Sequence, residues 1–300
     1  MGNQNTFTIL LSKEQSAKVK DVLLANKWVE EGDSNQYVVY RLRSPRGSIA
    51  LLYSSDKIVF QGKEDFTSLI ANIKEKEVDM EMDGFRPHLG VDEVGKGDYF
   101  GPLVVVSCFI TEEFAKNVKI LGFADSKKFS DKKIMNLFNN VREYPYYYSS
   151  IVHPSEYNTL IKKYKNASLL LAKQHSKVIE IALKDLKEKN INCEYVVIDQ
   201  FSTSKSRVID ELGKLGKETE LIQHHKGESD IAVACASVIA RGIFLEEWDK
   251  MNDRYYFDFP KGSSNVLESA KLFVSSHGEK ELSTVAKVSF RTTKQVLSKS

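Results

Sequence analysis

The sequence predicts an α/β protein in two parts, a smaller α+β domain over residues 1–83 and a larger α/β domain over 84–300. Three observations lead there. Strand-like apolar runs at 88–94, 103–110, 145–152 and 194–199 alternate with helical stretches at 130–141, 155–189 and 229–250, the order of a sheet covered by helices. Ahead of them, short β-rich runs at 37–43, 48–53 and 57–60 are joined by Ser44-Pro45-Arg46-Gly47 and Ser54-Ser55-Asp56, which are hairpin-turn signals. Between the two sets, residues 75–87 are rich in charge and end in Asp83-Gly84-Phe85-Arg86-Pro87, a linker composition that puts the boundary near residue 84.

Taken in order, residues 12–27 open on Ser12 as a cap and set Val19, Val22, Leu23 and Leu24 among polar residues, an amphipathic helix. A second helix is expected from Glu64 to Lys76. In the larger domain, Ile231, Ala234, Cys235, Val238 and Ile239 recur at helical spacing with Arg241 outside the stripe, so one face of that helix should be buried. Its small residues Ala232, Ala234, Ala236 and Ser237 let it approach a sheet closely. No internal repeat is visible.

Composition excludes several classes. An apolar content of 42% with 28% charged residues is that of an ordered globular chain, and the net charge of +2 does not favour a partner by itself. A membrane span needs roughly 18 or more uninterrupted apolar residues. The longest run, Leu103 to Ile110, is strand-sized. The N-terminus lacks the basic stretch and apolar core of a secretory signal, and Met1-Gly2 with Thr6 fits only the bare myristoylation pattern. Cys108, Cys193 and Cys235 show no Cys-x-x-Cys spacing and read as buried thiols of a reducing cytoplasm.

The chemistry concentrates in residues 90–103. Asp92 and Glu93 stand side by side directly before the loop Gly95-Lys96-Gly97. Carboxylate oxygens are hard ligands suited to Mg²⁺, and a glycine loop lets backbone N–H groups approach a sugar-phosphate chain. A P-loop is excluded because Gly97 stands where a hydroxyl should reach Mg²⁺, and because Asp92 and Glu93 would put negative charge inside a phosphate cradle. A Rossmann fingerprint fails on spacing, since Gly101 comes one residue too late. Successive side chains on a regular strand point to opposite faces, so spacing alone does not bring Asp92 and Glu93 to one site.

Two more acids are candidates. Asp199 ends the buried run 195–199, where α/β sheets place ligand sites, although an Asp there also caps turns. Glu228 precedes the small-residue helix, where a carboxylate is also favoured by the helix dipole, and Asp230 competes for the same role. Ser126, Lys127 and Lys128 offer a hydroxyl and cations to phosphates, or form a solvated surface turn. The His224-His225 pair, which lacks further ligands at zinc spacing, receives no role, and Asn166 and His175 on the long helix are candidates for a place near the cleft with no role assigned. Residues 34–63 carry Arg41, Arg43, Arg46, Lys57 and Lys63 against the single acid Asp56, a locally basic sheet able to touch phosphates. Tyr37, Tyr40 and Tyr53 there can stack on bases, but fit a small-sheet core better.

Together these motifs carry a resemblance. The run 91–102, then Asp125-Ser126-Lys127-Lys128, Val197-Ile198-Asp199, Lys226-Gly227-Glu228-Ser229 with 234–241, Lys261-Gly262 and Ala286-Lys287 with Phe290 resemble the ordered motifs of the type 2 ribonucleases H over about residues 88–295. The extra N-terminal domain, Lys96 and Glu228 resemble the ribonuclease HIII branch. The resemblance implies an RNase H-like mixed sheet flanked by helices, and an N-terminal substrate-binding domain similar to the TATA-binding protein fold. It implies Asp92, Glu93, Asp199 and Glu228 as catalytic and metal-binding acids. It also implies two Mg²⁺ ions, or Mn²⁺ as the alternative, roughly 3.5 to 4 Å apart at the scissile phosphate. The implied partner is an RNA/DNA hybrid, held by Gly95, Lys96, Gly97, Ser126, Lys127, Lys128, Arg41, Arg43 and Arg46, with its RNA strand cut to 5′-phosphate and 3′-hydroxyl ends. No obligate protein partner is expected, and the chain reads as a cytoplasmic monomer.

Overall fold

A computed structural model describes residues 5–10, 13–64, 84–123, 129–199, 206–224 and 229–298. The chain divides into two compact units, Met1–Asp83 and Gly84–Ser300.

In the first unit, β1 (Asn5–Leu10), α1 (Lys13–Ala25), β2 (Val29–Glu31), β3 (Val38–Arg43), β4 (Ile49–Tyr53) and β5 (Lys57–Gly62) form one helix on an antiparallel sheet of order β1-β5-β4-β3-β2. The turns are local products of the sequence. Ser44 Oγ accepts from the backbone of Arg46 and Ser48, Gly47 takes φ +86°, and Asp56 takes φ +59° in the next hairpin. Strand alternation sends Tyr40, Leu42, Ala50, Leu52, Ile58 and Phe60 to the face covered by Val19 and Leu23 of α1. Tyr40 is a core residue whose hydroxyl donates to Ser16 O at 3.2 Å, whereas Tyr37 is exposed. The expected helix 64–76 lies outside the described residues beyond Glu64.

The second unit is a mixed sheet of order β10-β9-β6-β7-β8, from β6 (His88–Val94), β7 (Leu103–Ile110), β8 (Tyr147–Val152), β9 (Tyr195–Asp199) and β10 (Glu220–His224). β6, β7 and β8 run antiparallel, and β9 lies parallel to β6 and to β10. Every residue of β7 is buried, as expected for a strand covered on both faces. One face, with Leu89, Val91, Val105 and Phe109, packs on the long helix α5 (Ala167–Glu188), which follows α4 (Pro154–Tyr164). The other face receives α8 (Ile231–Tyr255), after α2 (Glu112–Ile120), α3 (Asp131–Val141) and the short α6 (Ser206–Glu211) and α7 (Lys214–Glu218). Helices α9 (Leu267–His277), α10 (Glu279–Val285) and α11 (Arg291–Leu297) close the chain.

Two expectations change. The single helix expected over 155–189 is two, because Lys165 turns left-handed at φ +54° and Asn166 restarts the chain by accepting from Ser168 N and Leu169 N. Asn166 is a helix cap. The helix expected with one buried face is buried all round from Ala232 to Ala240, because α2 and α3 cover the side the sheet does not. Its close approach is real: a Cβ on Gly90 of β6 would lie 2.1 Å from the Ala232 backbone carbon. Between β7 and α8 the thiols of Cys108 and Cys235 lie 3.6 Å apart, both buried and free. Among the described residues no helix is long and apolar enough to cross a membrane.

Candidate active site

The site begins at the carboxyl ends of two parallel strands. Val91 pairs with Ile198, so one further step of the same register brings Asp92 alongside Asp199, the last residue of β9. Glu93 follows on β6. Three of the four predicted acids therefore meet at one end of the sheet, the usual place for a ligand in this kind of fold.

Alternation along β6 gives the two adjacent acids different supports. Asp92 leans toward α8, where the Ser237 hydroxyl hydrogen-bonds to it. Glu93 faces α5, where Nε2 of the fully buried His175 lies 3.0 Å from its Oε2. Burial pushes the Asp92 carboxyl up to about 7, the negative charges of Glu93 and Asp199 add to this, and Ser237 and the Glu93 backbone N–H oppose it. Burial pushes Glu93 up as well, but His175 and then Lys96, whose Nζ is 3.1 Å from Oε1, outweigh it and hold Glu93 below the usual carboxylate range. Hard oxygens with a deficit of positive charge are donors suited to Mg²⁺ or Mn²⁺. Among the described residues, no group of three or more His, Cys, Asp or Glu side chains is placed to hold a metal ion.

The loop after β6 has two different glycines. Gly95 takes φ +87°, and a Cβ there would lie 2.0 Å from Pro102 O, so the fold itself requires glycine. Gly97 has no such need: a Cβ there meets nothing within 4 Å. Further on, Asp98 Oδ1 accepts from Gly262 N at 2.6 Å and Gly262 O accepts from Tyr99 N at 2.9 Å, which docks the segment 261–264 beside the loop.

A family profile described as Ribonuclease HII matches residues 89–293. Ribonuclease HIII of Protochlamydia amoebophila (strain UWE25) is 34% identical over 266 residues, 85% of this chain and 86% of that one. The chain belongs to the ribonuclease HIII family. Among solved structures, Bst-RNase HIII in complex with Mn²⁺ superimposes with a TM-score of 0.67 at 24% identity over 98% of both chains. Aquifex aeolicus RNase H3 superimposes with a TM-score of 0.54 at 26% identity, over 95% of this chain and 100% of that one. As a ribonuclease HIII family member the protein is an endoribonuclease, a hydrolase that acts on RNA/DNA hybrids.

Other candidates fall in different places on this ribonuclease HIII fold. Glu228, Ser126, Lys127 and Lys128 lie outside the described residues. Asp230, the rival of Glu228, caps α8: its Oδ1 accepts from Ala232 N at 2.9 Å and Val233 N at 3.1 Å, and its Oδ2 lies 3.0 Å from His88 Nε2. That carboxylate is committed to the helix start. His224 ends β10, with only its backbone described, and His225 lies outside. In the first unit, Arg41 pairs with Glu31 and Asp33, and Arg43 pairs with Glu31 at 2.5 Å. Arg46 sits in the β3–β4 turn.

Sequence reasoning gave no role to His175 and read Ser237 only as a small packing residue. The signal for His175 was a polar group inside the apolar stripe of α5, between Leu171 and Val178. Ser237 carries no such mark among the alanines around it.

Proposed function

We propose that Asp92, Glu93, Asp199 and Glu228 form the catalytic centre of this hybrid-specific endoribonuclease, in a catalytic domain over 84–300, with residues 1–83 as a substrate-binding domain. The observation that carries the reading is the charge balance at the end of β6. Two buried acids of β6 and Asp199 of β9 share one end of the sheet, and burial with mutual repulsion lifts Asp92 to about 7. Perturbed carboxylates of this kind mark functional sites, and a cation bound there would relieve the repulsion.

The donor set fits Mg²⁺, with Mn²⁺ as the alternative, and two such ions held by these acids with the substrate bound would activate water and neutralise charge on the leaving 3′ oxygen. The protein's own residues do the rest. His175 and Ser237 hold Glu93 and Asp92 from opposite covers of the sheet, so neither carboxylate swings when its charge is engaged. The open face of Gly97 leaves room for the sugar-phosphate chain, and Gly95, Lys96 and Gly97 meet the minor groove and its 2′-hydroxyls. Hydrolysis breaks the bond between phosphorus and the 3′ oxygen, adds a water oxygen to phosphorus, and leaves 5′-phosphate and 3′-hydroxyl ends. Ser126, Lys127 and Lys128 contact phosphates. Arg41, Arg43 and Arg46 do the same from the first unit, where phosphates compete with Glu31 and Asp33 for the first two. The enzyme works as a cytoplasmic monomer.

Labelled RNA/DNA hybrid, duplex DNA, duplex RNA and duplex DNA with one embedded ribonucleotide, each with and without Mg²⁺, test this reading. Cutting should require the metal and be confined to continuous RNA paired with DNA, because the 2′-hydroxyl contacts of a run of ribonucleotides each contribute about 0.5–1.5 kcal/mol. Equal initial rates on the single-ribonucleotide substrate overturn the proposed specificity.

A further inference from the structure

Lys287 is fully buried, although its side chain ends in an ammonium group. It lies between α10 and α11, in the segment Ala286-Lys287-Val288 that follows the isolated bridge of Ala286 to Phe100. Its Nζ donates to three main-chain carbonyls, those of Asp98 at 2.9 Å, Phe100 at 3.2 Å and Gly101 at 2.7 Å. The remaining carbonyl of that stretch, Tyr99 O, accepts from the Lys287 backbone N–H at 2.8 Å. One residue thus satisfies four consecutive carbonyls, 98 to 101. These are the residues on which the Gly95-Lys96-Gly97 loop closes.

An ammonium has three N–H donors, and here three acceptors meet them, so the charged form leaves nothing unpaired. Burial pulls the Lys287 pKa down to about 7, and the Asp98 carboxylate pulls it back up. Without the ammonium, three converging carbonyl oxygens, those of Phe100 and Gly101 buried and that of Asp98 part-buried, lose the donor they share, an arrangement the backbone relieves by moving. The surrounding anchors do not replace it. Gly101 N donates to Val285 O and Tyr99 N to Gly262 O, bonds that use the N–H groups of the segment and leave its carbonyls to Lys287. Asn158, which donates to Ser283 O and Ala286 O and accepts from Val288 N, fixes the Lys287 segment itself to α4.

We propose that Lys287 is a positioning residue for substrate recognition: a tethered cation from the end of the chain that sets the backbone of residues 98–101, and through it the height of the Gly95–Gly97 loop over the hybrid. The inference rests on the proposed reading of that loop as substrate-binding. Lys287 reaches neither the acids nor the hybrid, so its loss should weaken recognition and spare the chemical step.

Steady-state kinetics of the full chain with Lys287→Met and Lys287→Ala test this, alongside Lys96→Ala and Gly97→Ala as probes of the loop. The Lys287 variants should raise KM for the hybrid about tenfold, with kcat reduced less than threefold. Propylammonium, which matches the atoms removed in Lys287→Ala, should restore KM in that variant and leave Lys287→Met unchanged. Unaltered KM in both Lys287 variants overturns the inference. So does a joint fall in kcat and folded fraction, followed by thermal melting, that propylammonium does not reverse, because Lys287 then serves stability alone. If Lys96→Ala and Gly97→Ala leave KM unchanged, the loop reading fails and takes the inference with it. If they raise KM while the Lys287 variants do not, the loop reading stands and the inference alone falls.

Discussion

Nε2 of His175 lies 3.0 Å from Oε2 of Glu93, across the interface between α5 and the central strand. The imidazole is fully buried and the carboxylate nearly so, which makes this a directed contact inside the protein. On the proposed reading Glu93 binds metal, and removing the support of such a carboxylate typically costs 10–100-fold in metal affinity or activity. His175→Ala should therefore raise the Mg²⁺ concentration needed for half-maximal cleavage by about tenfold. A metal titration of cleavage rate checks this, and an unchanged half-point with lower Tm would make His175 a packing residue only.

Asp92 gives a second test, in metal-free protein. Its folded-state pKa, about 7, lies above the unfolded value near 3.8, so its stabilising contribution is complete below the unfolded value and is lost as pH rises through 7. Asp92→Asn has no charge to lose. In EDTA, the variant and the parent should melt alike near pH 4 and diverge by pH 8, with the variant higher by a few degrees, since each kcal/mol moves Tm by roughly 2–4 °C in a domain this size. A constant difference across that range contradicts the burial of an uncompensated charge.

The fourth acid is decided by comparing Glu228→Gln with Asp230→Asn. Asp230 is occupied with the N-terminus of α8 and with His88, and asparagine caps a helix about as well as aspartate. Asp230→Asn should keep most of its cleavage rate, and Glu228→Gln should lose it. The reverse outcome moves the fourth ligand to Asp230.

Deleting residues 1–83 should leave a folded but weaker enzyme. Hybrid affinity should fall, and the slope of log K against log salt should become shallower by about one unit for each phosphate contact removed. An unchanged affinity and slope would mean that the first unit does not touch nucleic acid.

How far the sequence could be read depended on the range of the interactions. The strands β6, β7 and β9 were legible because their apolar runs are local, and the small residues of α8 announced the close approach at Gly90. The break at Lys165 was not, because a left-handed lysine has no signature beyond the Asn166 cap that follows it. The basic bias of 34–63 is local, and the acids that answer it, Glu31 and Asp33, precede that stretch; the β2–β3 register, which no short stretch of sequence displays, brings Glu31 opposite Arg41. Strand alternation warned that Asp92 and Glu93 face opposite ways, and they do. The sequence hid that Ser237 and His175 wait on the two sides, 145 and 82 residues away from their partners. Lys287 stands 189 residues from Asp98, and although both fall in the motifs that carry the resemblance, nothing in their spacing shows that they touch.

The most direct test of the central claim is cleavage of labelled RNA/DNA hybrid by Asp92→Asn, measured beside hybrid binding in saturating Mg²⁺. The change keeps the side-chain shape and removes a ligand charge, so binding should stay within a few-fold of the parent while cleavage disappears. Cleavage near the parental rate would remove Asp92 from the catalytic centre, and with it the reading of the strand end as the place where the RNA is cut.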